Sequence, residues 1–419
     1  NEKLISVMKQ LRDIGNTLVV VEHDKGIISS ADRIIDMGPF AGTQGGEVIA
    51  EGSLEEIIKA DSLTAKYLNG KMKIPIPENR KKANKWISII GARENNLKNI
   101  NVSFPLNCLT VVTGVSGSGK STLVHDILYP TILRRLGIFE RKPGEHISVN
   151  GDINLIKHIE YINQKPIGRS SRSNPVTYIK AYDDIRNLFS NHKLSINRGY
   201  KPRHFSFNVD GGRCQDCKGD GQIVIEMQFM ADVVLQCESC NGKRFNKDIL
   251  DVKFFGKNIS DVLKTTVDDA IDFFEKNNEV KIAERLKPLK DVGLGYVTLG
   301  QSSSTLSGGE AQRIKLASFI GKEIQKENIL FIFDEPTTGL HFHDIKKLLK
   351  SFNLLIKKGH TIIVVEHNID LIKCADYVID LGPGGGDFGG NVVAKGTPEE
   401  ISKNKNSFTG KYLLSSLKN

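Results

Sequence analysis

The 419-residue sequence predicts an α/β fold: a nucleotide-binding domain on a parallel sheet, interrupted by a cysteine-rich insertion and preceded by the tail of another such domain. Three observations carry this reading. A phosphate-loop sequence, GVSGSGKS at 114–121, stands between an apolar strand and a helix. A continuous apolar run at 329–333 ends in two adjacent carboxylates, Asp334 and Glu335. A strand-and-helix segment occurs twice, at 17–57 and again at 361–401.

In chain order, the sequence opens at Asn1 inside what reads as an amphipathic helix (Leu4, Met8, Leu11), the pattern of a piece of a longer protein. Residues 17–57 then read as a buried strand ending in Glu22-His23, a helix, a second strand ending in Asp36-Met37-Gly38-Pro39, a glycine-rich turn, a third strand and a last helix. The copy at 361–401 has the same order and follows a phosphate loop; the first copy follows none. Residues 1–70 are therefore expected to be the C-terminal part of a first nucleotide-binding domain. Residues 71–85, rich in Lys, Pro and Asn, read as a linker, and a second domain is expected from 86.

In this second domain, 86–165 should form the phosphate-loop part. Gly114, Gly117 and Gly119 let the backbone curl so that the amides of the loop, including those of Ser116, Ser118 and Thr122, face phosphate oxygens. Lys120 supplies a positive charge to β- and γ-phosphate oxygens, and Ser121 a hydroxyl to Mg²⁺. The apolar run at 329–333 has the composition of a strand buried on both faces. Asp334 at its end suits the Mg²⁺ shell, and Glu335 suits general-base work on the attacking water. The strand at 361–365 ends in Glu366-His367, where the imidazole can bond a γ-phosphate. Between these parts, Ser307 and Glu310 have the spacing of a capping box at a helix start, which leaves the paired Gly308 and Gly309 unexplained.

Residues 166–300 read as an insertion. It carries two CxxC pairs, Cys214/Cys217 and Cys237/Cys240, each followed closely by a glycine, inside a module at about 211–245. Four thiolates from two such turns suit tetrahedral Zn²⁺, and the alternation of Ile223, Ile225, Met227 and Phe229 between them reads as a hairpin. The remaining cysteines of the six, Cys108 and Cys374, are isolated, so a disulfide framework is not expected. Before the module runs a basic, aromatic-interleaved stretch: Arg198, Tyr200, Lys201, Arg203, His204, Phe205, Phe207, then Arg213. Its cations suit DNA phosphates and its rings suit stacking, although Phe205 and Phe207 have equally the spacing of core residues.

Composition agrees with a globular chain that handles a polyanion: 39% hydrophobic, 26% charged, net charge +9 and pI near 9.0. No apolar run approaches the roughly 18 to 20 residues of a membrane helix, and no basic-then-apolar leader is present, so no membrane partner and a cytoplasmic location are expected.

LSGGE at 306–310, together with GVSGSGKS and an apolar strand ending in DEP, resembles the signature set of ATP-binding-cassette proteins. The segments 162–186 (INQKPIGRSSRSNPVTYIKAYDDIR) and 296–317, with the cysteine module between phosphate loop and signature, are similar to the C-terminal half of the UvrA family. The resemblance implies an ATP-binding-cassette fold with a helical signature subdomain, in which 301–419 carries signature, Walker B and His-loop. It implies that Ser307, Gly308, Gly309 and Glu310 cap a γ-phosphate bound on another nucleotide-binding domain. Gln164 resembles the family's Q-loop glutamine, a ligand of Mg²⁺ or its water. Arg172, Lys201, Arg203 and Arg213 are the candidate DNA contacts. The family implies a dimeric ATPase that recognises distorted, damaged duplex DNA in nucleotide excision repair and loads UvrB, although the inserted region that docks UvrB in the family is not recognisable here. A non-hydrolysing ATP-gated DNA clamp and a UvrA-like paralogue in drug self-resistance stay open at this point; a transporter ATPase leaves the cysteine module unexplained.

Overall fold

The computed structural model describes residues 2–39, 42, 45–168, 170, 172–227, 229–230, 232–321 and 328–418. In chain order its strands are β1 (Ile34–Gly38), β2 (Glu47–Gly52), β3 (Trp86–Ala92), β4 (Ile100–Pro105), β5 (Leu109–Gly114), β6 (Ser148–Gly151), β7 (Ile156–Ile162), β8 (Gln222–Ile225), β9 (Val233–Gln236), β10 (Asn328–Asp334), β11 (Thr361–Val365), β12 (Tyr377–Gly382) and β13 (Asn391–Gly396). They divide between two compact units, one formed by Asn1–Asn163 with Ile324–Asn419 and the other by Gln164–Glu323.

The first unit is organised by a six-stranded sheet of order β13-β12-β5-β11-β10-β7, parallel except for the edge strand β13. Apolar runs explain its centre: every residue of β11 and all but the ends of β10 are buried, as expected of parallel strands covered on both faces. Helix Phe342–Lys357 packs Phe342, Ile345, Leu348, Leu349 and Phe352 along one side, the spacing of a single helical face. Phe352 meets Phe333 of β10 with ring centroids 4.7 Å apart. A second, antiparallel sheet, β4-β3-β6, adds Ile87, Ile89, Val102 and Phe104 to the core beneath the phosphate loop.

The two copies of the repeat fold alike only in part. β1 pairs β2 as β12 pairs β13, with matching register and the same irregularity, after Asp36 in one and after Asp380 in the other. Both aspartates accept hydroxyl bonds from the chain that follows: Asp36 from Thr64, Asp380 from Ser407 and Thr409. The expected strand at 17–21, however, does not form. Val19 and Val21 are 90% and 89% exposed, and the chain there has no regular structure. Its counterpart β11 is held by main-chain bonds to β5 on one side and β10 on the other. A strand needs such neighbours, and among the described residues the first copy offers none. Helix Glu2–Asp13 forms, but Leu4 and Leu11 of its apolar face are exposed, and part of the glycine-rich turn expected after Pro39 lies outside the described residues.

Residues 71–85 lack regular structure, yet they are tied down. Arg80 donates to the carbonyls of Lys373 and Ala375 and pairs with Glu399, while the Lys81 amide donates to Asp376.

The second unit is helical apart from the antiparallel β8–β9 hairpin. Tyr182, Phe189, Phe205, Phe207, Phe245 and Phe274 are fully buried in it. Phe205 closes a short 3-10 turn, Pro202–Phe205, and stacks near Phe189, while Phe207 packs against Tyr182. Of the two readings of these rings, core packing is the one realised, in a turn rather than a strand. Among the described residues no helix is long and apolar enough to cross a membrane.

Deleting a ring from the central sheet should be felt strongly and deleting an exposed one hardly at all. Phe333→Ala, at a site with no exposure, is expected to lower unfolding free energy by about 3 to 5 kcal/mol in a denaturant titration. Phe229→Ala, at a site 96% exposed, is expected to change it by less than about 0.5 kcal/mol.

Candidate active site and metal centre

Strand order brings the predicted phosphate-site residues together. β5, β11 and β10 are parallel neighbours, so the loops leaving their carboxyl ends meet at one edge of the sheet, where open α/β sheets bind ligands. β5 runs into the phosphate loop, β11 into Glu366-His367 and β10 into Asp334-Glu335.

The loop needs its glycines at two positions. Gly114 has φ +135°, and a Cβ there would lie 2.0 Å from the Leu381 carbonyl oxygen; Gly119 has φ +100°, with Leu97 2.7 Å from where a Cβ would stand. Asn96 clips the loop from outside, its amide donating to the carbonyls of Gly117 and Gly386 at 2.8 and 2.9 Å. Lys120 Nζ bonds the carbonyls of Gly114 and Val115 at 3.0 and 2.9 Å. Burial pulls its ammonium below the ordinary lysine value, against the opposite pull of Glu335, Asp380, Asp334 and Glu366. Beyond Lys120 and Ser121, Thr122 starts the helical turns Thr122–Leu128 and accepts from Asn95 at 3.2 Å.

Across the site, Asp334 accepts from the Tyr161 hydroxyl of β7 at 2.9 Å, and burial together with Asp334 pushes that phenol well above its usual range. Glu335 has φ +44°, a left-handed conformation uncommon outside glycine, and its amide donates to Val365 at the end of β11. Its Oε1 stands 3.8 Å from His367 Nδ1, with both side chains substantially exposed. Glu366 is the reverse case: 1% exposed, its carboxyl pushed up by burial while Thr337 and His367 pull it down.

The remaining predicted residues belong to the second unit. Ser307 caps helix Gly308–Ile320 and Glu310 closes the capping box, as the spacing indicates. Glu310 also accepts from the Tyr296 hydroxyl at 2.5 Å. Gly308 packs against Gln164: a Cβ on it would stand 3.0 Å from the Cβ of Gln164. Gly308 thus admits Gln164 at the helix start, a reason that the capping box does not supply.

The four cysteines of the two CxxC pairs form a buried cluster, all their sulfurs within 4.8 Å of one another. Cys214 and Cys237 sulfurs are 3.9 Å apart, and those of Cys217 and Cys240 3.7 Å. A tetrahedron of sulfurs about 2.3 Å from a central zinc has edges of about 3.8 Å, so the donor set fits that ion. Each knuckle turns through consecutive left-handed residues, Lys218-Gly219 and Asn241-Gly242. The turn points the Gly221 amide at Cys217 Sγ, 3.2 Å away. Above the cluster, β8 and β9 leave every residue exposed on both faces.

Of the basic residues, Lys201 and Arg203 are exposed. Arg172 lines a polar cleft with Ser173, Asn174, Thr177 and Asn208 and approaches Asp220 at 4.0 Å. Arg213 is engaged by Asp210 and by the carbonyls of Asn208 and Lys218, with 14% of its side chain exposed. Sequence reading passed over Asn96, Tyr161 and Glu366. For Glu366 a signal existed, since Glu-His ends the strand segment in both copies of the repeat.

No family model matches the sequence. Over 415 residues the chain is 55% identical to UvrABC system protein A of Clostridium perfringens and 54% to that of Clostridium acetobutylicum. Over 418 residues it is 54% identical to UvrABC system protein A of Aquifex aeolicus. Each alignment covers 99% of this chain and 44 or 45% of the relative, so the chain spans less than half the length of these curated relatives. The crystal structure of UvrA2 from Deinococcus radiodurans matches with a TM-score of 0.92 at 42% identity, over 100% of this chain and 50% of that one. The chain belongs to the UvrA family, whose C-terminal half it matches.

Proposed function

We propose that this chain binds and hydrolyses ATP and couples that cycle to recognition of damaged duplex DNA in nucleotide excision repair, within a UvrA-type subunit that pairs with a second copy and hands the lesion to UvrB. The observation that carries the reading is the meeting of Lys120, Asp334, Glu335 and His367 at the carboxyl ends of three neighbouring parallel strands. Relatives named UvrABC system protein A support the repair assignment.

In this reading Lys120 exchanges its loop carbonyls for β- and γ-phosphate oxygens, and the amides from Ser116 to Thr122 cradle the rest. Ser121 and Asp334 offer the hard oxygen donors that magnesium takes, and Gln164 is the family's further ligand. The ion supplies charge neutralisation on the phosphates when bound. Glu335 orients and deprotonates the attacking water, and His367, 3.8 Å away, bonds the γ-phosphate. Ser307, Gly308, Gly309 and Glu310 cap a γ-phosphate held by another nucleotide-binding domain. Zinc on Cys214, Cys217, Cys237 and Cys240 staples the base of the hairpin, and Lys201, Arg203 and Arg172 contact DNA phosphate. Arg213, already paired with Asp210, supports the module more than it offers a free charge.

Removing the phosphate-site cation and the base should separate binding from chemistry. Lys120→Ala is expected to weaken binding of a fluorescent ATP analogue and to abolish phosphate release. Glu335→Gln should keep the binding and lower turnover by about 10²- to 10⁴-fold. Because the signature helix acts on a partner domain, turnover per chain is expected to rise with chain concentration; turnover independent of concentration would refute action between chains.

The metal and DNA parts are tested together. Elemental analysis is expected to find one zinc per chain, lost in Cys237→Ala. In fluorescence anisotropy across a salt series, the parent chain should prefer a lesion-bearing duplex and Cys237→Ala should not. Lys201→Ala/Arg203→Ala should weaken both duplexes alike and reduce the salt slope by about 2. Equal, weak binding of both duplexes by the parent chain would remove damage sensing from this half.

A further inference from the structure

Glu366 ends the strand that delivers His367, yet its carboxylate turns inward and is 1% exposed. One oxygen, Oε1, accepts from the Thr337 amide at 3.2 Å and from the Thr337 hydroxyl. The other, Oε2, accepts from the His367 amide at 2.8 Å. Three donors converge on it, the arrangement suited to an acceptor-only carboxylate. Thr337 is two residues beyond Glu335 in the turn after β10, so a single buried group ties the turn that carries Glu335 to the turn that carries His367.

The first copy of the repeat separates what is local in this arrangement from what is not. There Glu22, exposed, also accepts from the following amides, of His23 at 2.8 Å and of Asp24 at 3.3 Å. Bonding to the next amide is thus a property of the Glu-His turn itself. Burial and the bonds to Thr337 belong to the second copy.

We propose that Glu366 is a positioning residue for hydrolysis, a clamp between the Glu335 and His367 turns that sets the separation of those two side chains. The proposal rests on the ATPase reading given above. Glu335 gains most from such a clamp: its left-handed backbone lies one bond from a strand end, and tertiary contacts have to maintain it. A misplacement of about 1 Å at a reacting group costs about 10²-fold in rate, so a clamp one residue removed from the chemistry suffices to control it. Glu366 touches neither phosphate nor water in this account.

The test uses the full chain at a concentration where turnover has stopped rising, and measures phosphate release and binding of a fluorescent ATP analogue. Glu366→Gln places an amide nitrogen against a donor and is expected to lower kcat by about 10²-fold with KM and analogue binding unchanged. Thr337→Val, which keeps shape and removes one donor, should lower kcat by about tenfold. On a Glu335→Gln background, Glu366→Gln should add little, because the base whose placement the clamp chiefly maintains is already gone. A fall in kcat that is fully additive with Glu335→Gln, or one accompanied by equal loss of analogue binding, would overturn the proposal in favour of a general structural role. Undiminished turnover in both variants would overturn it as well. If Glu366→Gln does not fold, Thr337→Val alone and on the Glu335→Gln background decides by the same criteria. Absence of hydrolysis by the parent chain would instead refute the ATPase reading, and the clamp with it.

Discussion

The site depends on the parallel pairing of β5, β11 and β10. β5 lies far from β11 and β10 in the chain yet beside β11 in the sheet, and the common direction of the three puts the phosphate loop, the Glu-His turn and the paired carboxylates at the same edge. Continuous apolar sequence is what permits this, since strands buried on both faces have no polar side to turn outward. Polar residues then appear at the strand ends, where the chain leaves the core. Lys120 is the clearest consequence: burial disfavours its charge, and the carboxylates of Glu335, Asp380, Asp334 and Glu366 oppose that only in part.

The second unit meets a different constraint. Its helices share an aromatic core around Tyr182, Phe189 and Phe205, but the β8–β9 hairpin has no apolar face covered by anything described. A two-stranded hairpin is marginal alone in water, and the four cysteines of the CxxC pairs cluster at its base. The two left-handed turns that form the knuckles explain the Gly after each CxxC pair, where other residue types would be strained.

The repeated segment shows how far local sequence reaches. β1–β2 and β12–β13 share register, irregularity and an aspartate that gathers hydroxyl donors. Hairpin geometry is set by residues near one another in the chain, so both copies reproduce it. The strand before each hairpin behaves differently, because its bonds come from elsewhere in the chain: β11 has two neighbours, and residues 17–21 have none among the described residues.

The same division holds for the candidate site. Sequence by itself determined the elements whose cause is local: the glycines that curl the phosphate loop, the Ser307–Glu310 cap, the cysteine spacing and the apolar runs of β10 and β11. Tertiary structure decided what depends on neighbours. Phe205 and Phe207, equally compatible with stacking or core, became core because the helices around Tyr182 and Phe189 enclose them. Arg213, one cation in a basic run, was drawn to Asp210 and backbone carbonyls. Glu366, adjacent to a candidate catalytic histidine and indistinguishable from it by position, was turned inward by donors on a turn that the sequence places 29 residues earlier. Propensity and spacing act along the chain, whereas burial and electrostatic partnership are settled only when distant segments share a volume.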